Sequence, residues 1–68
     1  MPKLYSSKHI ISVLEKNGFY FVSQKGSHIK MRKEKFTVII PARKRGIPIG
    51  TFKSILRQSG LNQKDFEK

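Results

Sequence analysis

The chain has 68 residues, no cysteine, and fifteen lysines and arginines against four acidic residues, giving a net charge of +11. At this length folding buries only about 60% of the surface the unfolded chain exposes, so there is room for one thin core, with no disulfide staple and no Cys/His zinc site to support it. The longest apolar run, Val38-Ile39-Ile40, is far too short to span a bilayer, and Met1-Pro2-Lys3-Leu4-Tyr5 lacks the apolar centre of a signal peptide, which predicts a soluble, cytoplasmic protein.

In chain order, Ser6 or Ser7 can cap a helix over Lys8 to Asn17, because a side-chain oxygen there satisfies an amide of the first turn. Ile10, Ile11, Val13 and Leu14 form its apolar stripe, and Gly18 supplies the left-handed stop. Phe19-Tyr20-Phe21-Val22 is aromatic and β-branched and too short for a helix before Lys25-Gly26. It reads as a strand, and Phe19, Tyr20 and Phe21, like Tyr5, are expected in the core. Gly26-Ser27 makes a tight turn. His28-Ile29-Lys30-Met31-Arg32 alternates with period two, placing Ile29 and Met31 on one face and His28, Lys30 and Arg32 on the other. Lys33-Glu34-Lys35 is a charged hairpin loop, and Phe36 to Ile40 a third strand ended by Pro41, which has no amide hydrogen to give a ladder. Arg43-Lys44-Arg45-Gly46 is a basic loop. Gly50 or Thr51 then starts a helix through Ser59, with Phe52, Ile55 and Leu56 inward, Lys53 and Arg57 on its outer face, and Gly60 at its end. Asn62 can cap a last short turn over Gln63 to Glu67 that folds Phe66 back onto the domain.

No repeat, low-complexity tract or linker divides the sequence, so residues 1–68 read as one domain. Two amphipathic helices suffice to cover one face of a three-stranded antiparallel sheet, which predicts a two-layer α+β fold, α-β-β-β-α, laid out like a double-stranded-RNA-binding domain. The other face stays wet, and His28, Lys30 and Arg32 belong to it. Between Lys16 and Lys64 the only acid is Glu34, while lysine and arginine recur throughout. Nucleic acid is the partner such a field predicts, with an anionic membrane surface or an acidic protein as the less specific alternatives.

Several spaced motifs carry a resemblance that spans nearly the whole chain. Leu14-Glu15-Lys16-Asn17-Gly18-Phe19, then Gln24-Lys25-Gly26-Ser27-His28, then Ile40-Pro41, then Gly50-Thr51 through Leu61 follow one another in one order. The sequence thereby strongly resembles the HicA toxins. The resemblance implies an mRNA interferase of a toxin–antitoxin pair, a catalytic histidine at His28, and a HicB-type antitoxin that binds the toxin and blocks it. Many members of that family carry a second histidine shortly after the proline that ends the third strand. Arg43 stands at that place here, so a mechanism using two histidines is not available to this chain.

The residues themselves point the same way with less specificity. RNA supplies its own nucleophile: metal-free cleavage needs the 2′-hydroxyl deprotonated, positive charge on the phosphate oxygens, and a proton for the departing 5′ oxygen. His28 suits the first task, because imidazole titrates nearest to neutrality. Lys30 and Arg32, further along the same face, can hold phosphates, the arginine in bidentate fashion. Lys25, Gly26, Ser27, Lys30, Arg32, Arg43, Lys44, Lys53 and Arg57 are the candidate RNA contacts. Each has a plainer reading as well: His28 as a polar residue beside a turn, Gly26-Ser27 as a turn and nothing more, Lys44-Arg45 as a solvated run. His9 reads as a packing or solvated residue. Glu15, Glu34, Asp65 and Glu67 are too scattered to make an oxygen cage, so no metal and no other cofactor is expected, and Ser27 has no acid nearby to complete a triad. A non-catalytic RNA-binding module is the alternative to the nuclease, and an adaptor for an acidic protein or DNA is a third class.

Overall fold

The structure, a computed structural model, describes residues 4–67. Helix α1 runs Ser7–Lys16, strands β1, β2 and β3 run Tyr20–Lys25, His28–Lys33 and Phe36–Pro41, and helices α2 and α3 run Ile49–Ser59 and Gln63–Phe66. The strands form one antiparallel sheet in the order β1-β2-β3. Ile10, Val13 and Leu14 of α1 and Phe52 and Ile55 of α2 share one buried cluster with Met31, Val38 and Ile40 of the sheet. Both helices therefore lie on the Met31 face, giving the two-layer α+β arrangement of the double-stranded-RNA-binding type that the element order predicts.

Ser6 is the residue that caps α1, its Oγ accepting from the His9 amide at 3.0 Å. Ser7 lies inside the helix and does something else. Its buried hydroxyl donates to the Pro41 carbonyl and accepts from the Lys44 amide at 2.9 Å, while its own amide donates to the Lys44 carbonyl at 2.8 Å. These bonds clamp the basic loop to the first turn of α1. At the other end of α1, Lys33 Nζ donates to the Asn17 carbonyl at 2.7 Å, placing a cation where the last carbonyls of the helix leave partial negative charge.

Helix α2 starts at Ile49, ahead of the predicted Gly50 or Thr51, behind Pro48 with φ −55° and no side-chain cap. Pro48 is the capping residue itself, extended at ψ 147°, and its carbonyl accepts the Phe52 amide at 2.9 Å. Gly60 ends α2 at φ +74°, as expected, and a Cβ there would stand 3.2 Å from the Phe36 ring, so the position needs glycine for both conformation and space. Asn62 and Asp65 form a capping box on α3, and Phe66 is fully buried.

Strand β1 departs from expectation. It begins at Tyr20, leaving Phe19 in the core at 4% exposure, and all its residues are exposed, with Tyr20 and Phe21 at 57% and Val22 at 40%. Tyr20 and Phe21 are therefore not core residues. The helices pack over β3, and β1 lies at the far edge of the sheet, beyond their cover. The two edges also differ. On β3, the Ile39 amide points away from β2 and donates to Gln58 Oε1 of α2 at 3.0 Å, and Pro41, two residues on, has no amide hydrogen.

Candidate functional site

The face opposite the helices is set by strand register. Lys25 pairs with His28, Ser23 with Lys30 and Tyr20 with Arg32 across β1 and β2, while Pro41, Ile39 and Thr37 of β3 stand opposite the same three β2 residues. Paired residues share a face, and Met31 and Val38, one step along, are fully buried on the other side. His28, Lys30 and Arg32 thus lie together on the open face, as their alternation predicts. Register slips between Phe21 and Ser23, so Val22 is the extra residue of a bulge. That bulge brings Ser23, in place of Val22, beside Lys30.

His28 opens β2 directly after the Gly26-Ser27 turn, in which Gly26 takes φ +59°. A positive φ at the first of two central residues is the geometry a tight hairpin wants, and glycine adopts it without strain. Pairing continues past His28 into the turn, since the Ala42 amide donates to the Ser27 carbonyl at 2.6 Å. The turn is thereby tied to the loop that carries Arg43. The exposed His28 shares a shallow depression with Ser23, Lys25, Lys30 and Ile39. Arg32 lies farther down the same face.

The other predicted contacts are elsewhere. Arg43, held at φ +59°, lines a groove with Lys44, Arg45 and the α1 residues Lys8, Ile11 and Glu15. Lys53 and Arg57 are exposed on α2, which packs against the opposite face, and neither borders the His28 depression. The cations form a sheet-face group, a loop group and a helix group. His9 belongs to none of them: Nε2 donates to the Phe66 carbonyl at 2.7 Å and the ring stacks on Tyr5 at 4.9 Å, a packing role.

Sequence reasoning missed Ser23 and Ile39 in the depression and placed Tyr20 in the core. The signal for Ser23 and Tyr20 is the period-two pattern of β1, which the bulge interrupts. Among the described residues no three His, Asp or Glu side chains cluster in a way that could hold a metal ion, and no described helix is long and apolar enough to cross a membrane. An imidazole open to solvent among ammonium groups can accept a proton from an RNA hydroxyl while its neighbours hold the phosphate.

No curated protein matches the chain in sequence. A family model described as the HicA toxin of bacterial toxin-antitoxin matches residues 7–61. That match takes in α1, all three strands and α2, so the chain belongs to the HicA family, the toxin half of a pair whose other member is an antitoxin.

Proposed function

We propose that this toxin is a metal-independent endoribonuclease that cleaves mRNA with His28 as its catalytic residue, and that a HicB-type antitoxin silences it by covering the His28 face. One observation carries the reading: His28 stands exposed at the head of β2, beside Lys25 and Lys30, on the face opposite both long helices. In the proposed reaction the neutral imidazole takes the proton of a 2′-hydroxyl, the freed oxygen attacks the adjacent phosphorus, and the bond to the 5′ oxygen breaks with return of a proton to that oxygen. Lys25 and Lys30 hold the phosphate oxygens as negative charge builds on them. Arg32 binds a neighbouring phosphate, and Arg43 serves only as a fixed cation. Lys44, Lys53 and Arg57 extend the attraction for RNA beyond the site.

The test compares the wild-type chain with His28→Ala, after circular dichroism shows both folded, on a long RNA in EDTA. Removing a positioned general base lowers rates by about 10²–10⁴-fold, so His28→Ala is expected to bind RNA and to lose cleavage by that factor. Equal cleavage by both proteins would remove His28 from the mechanism. RNA binding with no scission by either would leave a binding module.

A further inference from the structure

We propose that Tyr20 is a base-stacking platform on the His28 face, so that this face takes unpaired RNA in preference to a duplex. The inference rests on the nucleic-acid reading above and adds to it which form of RNA is held and where along the sheet it lies.

Tyr20 pairs with Arg32, while Phe19, the residue just before β1, and Met31, one residue along β2, are buried on the helix side. Its side chain therefore stands on the open face, and the residue is 57% exposed. Tyr5, His9, Phe52 and Phe66 stack or tilt against one another in the helical layer, and Tyr20 is not among them. A single exposed aromatic is ordinary on a protein surface. The setting of this one is not. The bulge at Val22 sets Ser23 beside Lys30, and Ser23, Lys25, His28 and Lys30 line one shallow depression on this face.

Arg32, the partner of Tyr20, is four residues along β2 from His28, a separation of about 13 Å at 3.3 Å per residue. An extended nucleic-acid strand covers that distance within a few nucleotides. A strand lying along β2 would meet His28, then Lys30, then Arg32 through its phosphates, and the base nearest Arg32 would lie over the Tyr20 ring. Stacking of this kind requires a base free of its own helix. In A-form RNA the bases are stacked within the duplex, and proteins read such helices through the minor groove and the backbone, whereas unpaired bases can splay out onto aromatic rings.

The experiment uses the full chain carrying His28→Ala, which holds RNA without consuming it, and measures fluorescence anisotropy in EDTA. The probes are a short fluorescein-labelled RNA of mixed sequence, alone and annealed to its complement. Adding Tyr20→Ala is expected to weaken single-strand binding by roughly 5- to 150-fold, the range of one base–aromatic stack, while duplex binding and the salt dependence stay unchanged. Adding Tyr20→Phe keeps the affinity, because the ring and not the hydroxyl does the stacking. Circular dichroism accompanies each variant. Single-strand affinity untouched by Tyr20→Ala, with RNA still bound, overturns the proposal. A parent chain that binds neither probe overturns the nucleic-acid reading itself, and the proposal with it.

Discussion

His9 Nε2 bonds the Phe66 carbonyl, which can only accept, so that nitrogen must carry the hydrogen, and the Tyr5 ring covers one face of the imidazole. His28 has open solvent and cations around it. Sequence placed His28 on the open face, where it lies, because alternation in β2 and the preceding turn are local features, and local features survive folding. Ser7 shows the opposite case. Its hydroxyl was legible as a capping group, but its partners, Pro41 and Lys44, are far away in sequence, and nothing local announces them. Ser7→Ala leaves that carbonyl and that amide without their side-chain partner and is expected to destabilise the chain by about 1–3 kcal/mol. Denaturant unfolding checks this, and the loss should exceed that of Ser6→Ala, which removes a helix cap worth about 1 kcal/mol.

Among the elements, β2, β3 and the apolar stripes of both long helices followed from periodicity, since each alternates or repeats against a single buried layer. Strand β1 followed as a strand, but the burial of its aromatic residues did not. Its aromatic run has the composition of a core strand, but composition does not say whether a strand will sit under the helices or at the edge beyond them, and a bulge moves its side chains out of simple alternation. The hairpin turns are also unequal. Between β1 and β2 the positive φ falls on Gly26, whereas between β2 and β3 it falls on Glu34, at +52°. A residue with a Cβ pays about 1–2 kcal/mol for that conformation, and glycine avoids it at some cost in unfolded-chain entropy. Glu34→Gly is therefore expected to raise stability by roughly 0.5–1 kcal/mol, visible as a higher Tm, and an unchanged or lower Tm would show the turn to be unstrained. Glu34 lies at the end of β2 remote from His28, so RNA cleavage should not change with it.

At the scale of the whole molecule, a net charge of +11 is spread over a body only 17 Å through its thinnest dimension. Charge alone predicted a polyanionic partner but could not say that the cations would divide among a sheet face, a loop and a helix, because that division depends on which side each element turns to solvent. RNA affinity is expected to fall with salt at a log–log slope of about −0.7 for each phosphate neutralised on a single strand. Titrations at several salt concentrations should show Lys30→Ala flattening that slope by about one phosphate's worth, and a slope indifferent to Lys30 would take that residue off the RNA path.

The sheet also has a direction of growth. With the Ile39 amide taken by Gln58 and an imino acid at position 41, two of the outward positions of β3 are closed to an incoming strand, and β1 is the edge where a further strand would pair more readily. Two chains joined there would use up the more open edge of each. Association by strand addition in this fold therefore favours a pair over a fibre.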